Sequence, residues 1–199
     1  MHLAVFGGTF DPPHNAHLAL CLFARELLEI DRIIISVSNN PFKMHGRGAV
    51  DRHRKRMAEL LSFEINLTGA NSEVSGWELQ KRHTSYTVDL MRHLHRCYPS
   101  DRLTLLLGED SFRELPLWKE PEILFSLCDD IVVFRRAAAE AAAEEKRLIS
   151  DTKESIKFID FACEISSTEL RKLVSAGQSI SLLTPHSVNR YITDYALYR

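Results

Sequence analysis

The sequence has 199 residues, a formal net charge of -2 and a hydrophobic fraction of 45%. That length is expected to fold as one domain over residues 1–199, with a small helical portion from about 165 onward. A near-neutral balance without a basic tail gives no reason to expect a nucleic-acid partner. No apolar run approaches the roughly 18 residues of a membrane span, and no charged leader precedes a long apolar stretch, so no membrane is expected and a cytoplasmic location is. The cysteines at 21, 97, 128 and 163 are too scattered for a CxxC metal or redox motif. Cys21, Cys128 and Cys163 stand in apolar contexts and read as reduced core residues.

In chain order, Leu3-Ala-Val-Phe6 is a short apolar run ended by glycines, which predicts a buried strand. Asn15 to Glu29 carries a helical stripe of Leu18, Cys21, Leu22, Ala24 and Leu28. Arg32 to Val37 is rich in β-branched residues and reads as a strand. A loop with Asn39, Asn40, Pro41, Gly46 and Gly48 follows, and Asp51 is placed to cap a helix reaching about Ser62. The basic stretch Asp51 to Arg56 reads as a solvated helix face, with part of a phosphate pocket as the alternative.

Phe63 to Leu67 reads as a strand and Ser85 to Arg96 as a helix. Leu103 to Leu107 and Asp130 to Phe134 read as buried strands. Ala137 to Leu148 reads as an alanine-rich surface helix, and Ile156 to Phe161 as a last strand. Helices from about Ser167 to Ser175 and Pro185 to Tyr195 close the chain. Such alternation predicts an α/β, Rossmann-like, doubly wound and mostly parallel sheet with helices on both faces. Ligands of such sheets bind beyond the carboxyl ends of the strands, where the winding switches direction.

The chemistry-bearing residues sit at those ends. Gly7 and Gly8 follow the first strand and let backbone N–H groups approach a ligand, or else they simply make a turn. His14 and His17 share one face of the next helical turn. Helix capping, a zinc site short of a third ligand, and a donor pair for phosphate oxygens are the three readings of that pair. Further on, Ser167, Thr168 and Arg171 put hydroxyls and a guanidinium at one helix start, which suits an anion as well as a plain cap.

The stretch GGTFDPPHNAHL, Gly7 to Leu18, strongly resembles the first signature of the HxGH nucleotidyltransferases, and within them the nicotinate (or nicotinamide) mononucleotide adenylyltransferases. Ala16 stands where the family usually has glycine. ISSTELR, Ile165 to Arg171, is similar to the second signature, with Leu170 for isoleucine. Ser85-Tyr-Thr87, Gly108-Glu-Asp110 and Pro116-Leu-Trp118 resemble the SYT, GxD and PxW segments of the pyridine-nucleotide branch. The Lys43 loop matches less well, with Ser36 for a proline and Phe42 for a histidine.

The resemblance implies transfer of AMP from ATP to nicotinate mononucleotide, giving deamido-NAD and pyrophosphate, with nicotinamide mononucleotide or dual use as the alternative. It implies His17, His14 and Arg171 as catalytic residues. It places Gly7, Gly8, Thr9, Phe10, Lys43, Ser167 and Thr168 around ATP. Tyr86, Thr87, Asp110, Trp118 and Arg135 go to the mononucleotide, with Arg136 as a neighbour of Arg135 that is open to the same role. Mg²⁺ is expected to bind mainly through ATP phosphates, since no carboxylate cluster offers a cage; no protein-bound metal is expected. A homo-oligomer is possible. Rival readings are a pantetheine-phosphate or glycerol-phosphate nucleotidyltransferase and a non-catalytic nucleotide-binding regulator.

Overall fold

A computed structural model describes residues 1–39, 48–135, 156–163 and 165–199 of the chain. Lys43, Arg136 and the expected helix over 137–148 lie outside the described residues. The strands are β1 (His2–Gly8), β2 (Arg32–Val37), β3 (Ser72–Ser75), β4 (Arg102–Gly108), β5 (Asp130–Arg135) and β6 (Ile156–Asp160). The helices are α1 (Asn15–Leu27), α2 (Asp51–Asn66), α3 (Thr87–Cys97), α4 (Glu109–Glu114), α5 (Pro121–Leu127), α6 (Ser167–Ser175) and α7 (His186–Asp194).

All six strands run parallel, in the order β3-β2-β1-β4-β5-β6. The inner strands are buried on both faces, so they read as continuous apolar runs. Alternate residues then divide between two cores. Ala4, Phe6, Ile33, Ile35, Leu106 and Val132 pack with α1 and α2 through Leu20, Cys21, Ala24, Leu61 and Ile65. Leu3, Val5, Ile34, Leu105, Ile131 and Val133 face Leu90, Met91, Phe112 and Leu124 on the other side. A third cluster joins Ala49 and Met57 to Leu170, Ile180, Val188, Ile192 and Tyr198, fastening α6 and α7 onto α2.

The segment Phe63–Leu67 is a correction to the sequence reading: it does not form a strand, because α2 continues through Asn66. Ala58, Leu61 and Ile65 keep one helical stripe buried, while Phe63 points outward at 58% exposure. The third strand is the polar Ser72-Glu-Val-Ser75, whose single apolar side chain, Val74, leaves little hydrophobic pattern to read. Asn66 sets its start: its Oδ1 accepts from the N–H groups of Asn71 and Ser72 at 3.0 and 2.8 Å. Val50 caps α2, and Asp51 is its first residue. The four cysteines are free; Cys21 and Cys128 are buried, Cys163 is half-buried and Cys97 is exposed. No helix of the described residues is long and apolar enough to cross a membrane.

The winding runs outward from β1 through β2 to β3 and from β4 through β5 to β6. Its switch point therefore lies between the carboxyl ends of β1 and β4, at Gly7, Gly8 and Gly108. Phe112 anchors the β4 side from below; it is fully buried and meets Phe158 edge-on, ring centroids 5.3 Å apart. Phe112→Ala is expected to lower the unfolding free energy by about 3–5 kcal/mol through cavity formation, measured by urea denaturation.

Candidate active site

The site is built outward from the glycines at the switch point. A Cβ on Gly7 or Gly108 would meet nothing within 4 Å, so open space lies over both strand ends. Gly8 differs: a Cβ there would stand 3.1 Å from the Phe10 ring. Phe10 is buried in a left-handed conformation, φ 48°, and packs edge-on against Phe6 at 5.6 Å. Its ring also lies 5.3 Å from that of His17, so the glycine–phenylalanine contact supports the imidazole.

His14 and His17 open α1 as a stacked pair, 3.7 Å between centroids with an interplanar angle of 28°. The backbone N–H of His14 donates to His17 Nδ1 at 3.1 Å. That bond leaves the proton of a neutral His17 on Nε2, which makes Nε2–H the donor. Burial, and then the charge of His14, hold the His17 pKa well below the usual histidine value. At neutral pH the ring is therefore an uncharged donor of fixed tautomer.

The second signature reaches the first across 155 to 160 residues of sequence. Arg171 Nη1 donates to the Asp11 carbonyl at 2.7 Å, and Ser167 Oγ donates to the Pro12 carbonyl at 2.8 Å. Arg171 Nη2 donates to Thr168 Oγ1 at 3.2 Å. Ser166 supplies the cap of α6, accepting from the Glu169 N–H at 3.2 Å. The start of α1 is held from the same side: the Asn15 N–H donates to the Leu183 carbonyl at 2.9 Å. His14, His17, Phe10, Thr9, Ser167, Thr168 and Arg171 thus belong to one continuous assembly.

Apart from Arg135, the expected acceptor residues stand at the starts of α3 and α4 and ahead of α5. Asp110 is exposed in the first turn of α4, and Thr87 is the first residue of α3. Lys119 Nζ lies 5.0 Å over the Tyr86 ring and 3.3 Å from Asp89, joining the PxW and SYT segments. Trp118 is half-buried against the core on the α3 side of the sheet. Beside Tyr86 opens a cleft of about 350 Å³, lined by Trp77, Lys81, Arg92 and Lys119 rather than by Trp118. Arg135 Nη2 donates to Asp160 at 2.8 Å on the neighbouring strand β6.

A family model described as cytidylyltransferase-like matches residues 5–173. Two relatives, in Pelodictyon phaeoclathratiforme and Chlorobium phaeobacteroides, carry the name "Probable nicotinate-nucleotide adenylyltransferase". The first is 62% identical, covering all of this chain and 92% of its own length. The second is 54% identical over the whole of both chains. The chain belongs to the nicotinate-nucleotide adenylyltransferases of the cytidylyltransferase-like family. A solved structure of the Plasmodium falciparum nicotinic acid mononucleotide adenylyltransferase, complexed with NaAD, shares the fold. It has a TM-score of 0.77 at 19% identity, over 99% of this chain and 97% of that one.

Four supporting residues lie outside the sequence expectation. Arg54, expected on a solvated face, is fully buried and donates to the Thr9 and Ser38 carbonyls at 3.0 Å each and to Asp51 at 2.7 Å. Glu78 is buried and accepts from Ser36 Oγ at 2.7 Å, fixing the approach to the SYT segment. Burial raises its pKa, with Ser36, Ser85 and the Asn39 backbone pulling the other way. Asn39 donates to the Lys81 carbonyl at 2.9 Å and accepts from the Ser85 N–H at 3.2 Å. Asp11, one letter of the first signature, has a buried carboxylate that accepts from the Ala49 N–H at 2.9 Å. The signal for Arg54 was its place on the Met57–Leu61 stripe side of α2, masked by the basic run around it.

His17 is expected to keep its Nε2–H tautomer from pH 7.5 down to about 6, where an ordinary histidine titrates. Nitrogen-15 chemical shifts of the ring would read this; imidazolium shifts appearing near the ordinary histidine pKa would contradict the buried, neutral ring.

Proposed function

We propose that the chain joins ATP and nicotinate mononucleotide into deamido-NAD with release of pyrophosphate. The convergence of His17, Arg171 and Ser167 at the open end of β1 carries this reading. The full-length similarity to nicotinate-nucleotide adenylyltransferases supports the choice of acceptor.

In this reading an oxygen of the mononucleotide phosphate attacks the α-phosphorus of ATP. A new P–O bond forms there, the bond to the β-phosphate bridging oxygen breaks, and pyrophosphate leaves with that electron pair. The attacking phosphate is already largely ionised at neutral pH, so no general base is needed. Catalysis then consists of positioning and of donors aimed at developing charge.

His17 Nε2–H is proposed to donate to the α-phosphate, with His14 stacked beside it. Gly7, Gly8, Thr9 and Phe10 would supply close backbone approach over the strand ends. Two of the five guanidinium N–H groups of Arg171 hold Asp11 and Thr168, leaving donors for the departing pyrophosphate. Lys43 and Thr168 are proposed to serve the same phosphates. Tyr86, Thr87, Asp110 and Trp118 are proposed around the mononucleotide, with Arg135 held in reserve at the β5 end.

Mg²⁺ is proposed to arrive on ATP oxygens and to neutralise phosphate charge. Among the described residues no group of three or more His, Cys, Asp or Glu is placed to hold a metal. Asp11, the carboxylate nearest the first signature's carbonyls, is already occupied by protein donors. A cytoplasmic setting fits a chain acting on soluble nucleotides.

Two measurements test the proposal. Pyrophosphate release from ATP with nicotinate mononucleotide is expected at higher kcat/KM than with nicotinamide mononucleotide; the reverse order would move the enzyme to the amide branch. His17→Ala is expected to lose about 10²–10³ in kcat while keeping its circular dichroism and melting transition, because it removes one aimed donor. Near-normal turnover would refute the role of His17.

A further inference from the structure

We propose that Tyr198 is a positioning residue for the ATP side of the site, acting through Asp11. This deepens the adenylyltransferase reading and rests on it. Tyr198 lies beyond α7, far in sequence from either signature. Its ring is buried in the cluster that joins α2, α6 and α7, at 8% exposure. Its hydroxyl donates to Asp11 Oδ1 at 2.7 Å, inside the first signature, and also approaches Met57 Sδ at 3.9 Å. Desolvation and the Asp11 charge push the phenol pKa far above the tyrosine range, so it remains a donor.

The backbone is bent to make this contact. Ala196 and Tyr198 both adopt left-handed conformations, φ 48° and 65°. Such residues cost of order 1–3 kcal/mol each and persist where the surroundings over-determine them. The segment is also fastened by the Leu197 N–H donating to the Ile192 carbonyl at 3.0 Å.

Asp11 is the point where several candidate phosphate-binding segments meet. Its Oδ1 takes both the Tyr198 hydroxyl and the N–H of Ala49, just ahead of α2. Its carbonyl takes Arg171 Nη1 at 2.7 Å. Its Oδ2 stands 4.0 Å from the same nitrogen, at the limit of an ion pair. Gly48 lines the other side of Oδ2, where a Cβ would come within 2.6 Å.

Two donors on Oδ1 therefore fix the carboxylate in one rotation and keep Oδ2 from closing on Arg171. Without the hydroxyl, one of those donors is lost. The carboxylate then turns toward the guanidinium and competes with the triphosphate for it. The Tyr198 hydroxyl thus keeps Arg171 available to ATP, without touching the nucleotide itself.

The test is steady-state pyrophosphate release by the full chain, with calorimetric binding of Mg-ATP beside it. Tyr198→Phe is expected to raise the KM and Kd for ATP about tenfold, the scale of a hydrogen bond to a charged group. The KM for the mononucleotide should stay within about twofold. Replacing Asp11 by Asn in the Tyr198→Phe background removes the competing charge and should bring the ATP constants back toward wild type. Val188→Ala loosens the same cluster at a residue that makes no hydrogen bond with the hydroxyl; it should lower the melting temperature and leave the ATP constants unchanged. Unchanged ATP constants in Tyr198→Phe, or an equal rise in Val188→Ala, would overturn the proposal. Absence of pyrophosphate release by the wild-type chain would instead defeat the adenylyltransferase reading, while the calorimetry still reports on Tyr198.

Discussion

Two carbonyl oxygens, those of Asp11 and Pro12, tie the first signature to the second. Each accepts a side-chain donor from the start of α6, Arg171 and Ser167 respectively. A loop cannot satisfy its own carbonyls when it turns away from a strand end, and a buried carbonyl left unpaired is costly. By meeting that need with the second signature, the chain brings residues from opposite ends of the sequence onto the same few ångströms of backbone. The loop geometry and the anion-binding geometry are therefore one constraint. Disturbing α6 would misplace the imidazoles as surely as disturbing the loop.

Charge is divided along the same line. His17 is kept neutral by burial and by its stacked neighbour, yet it is oriented by the His14 N–H. A neutral N–H donor adds no standing charge for a substrate to neutralise, and its hydrogen bond strengthens where negative charge develops. Arg171 is committed in part to the protein, its guanidinium donating to the Asp11 carbonyl and to Thr168. The buried Arg54 is different again. Its guanidinium is turned inward onto the Thr9 and Ser38 carbonyls, so it joins the β1 and β2 loops instead of facing a ligand.

Much of this was legible in the sequence because the relevant signals are local. Apolar runs ended by glycine gave β1 and β4, and the doubly wound order follows from strands alternating with helices. The signature residues His14, His17, Ser167 and Arg171 declared themselves by spacing and residue type. What stayed hidden depended on tertiary context. The strand Ser72–Ser75 is polar and short, and it exists because β2 offers it an edge and Asn66 turns the chain toward it. Phe63 and Leu67 looked like a strand because apolar residues alternate there, but the longer stripe through Leu61 and Ile65 kept them helical. Arg54 vanished into a basic run, and Asp11 and Tyr198 are partners separated by 187 residues. No periodicity reports a pair of that kind.

The two halves of the site are consequently built in different ways. At the first signature, open space over Gly7 is bordered by backbone held through long-range side-chain bonds. At the SYT segment, the Ser85 N–H donates to the Asn39 carbonyl, with Lys119 bridging Tyr86 and Asp89 at the surface. The ties of the first half run to α6, which packs with α7 onto α2, whereas those of the second run to the end of β2 and to the segment before α5. A substrate phosphate attacking another phosphate must be aligned by both halves at once. The rigid sheet between them, buried on both faces, supplies the common frame that neither loop system could provide alone.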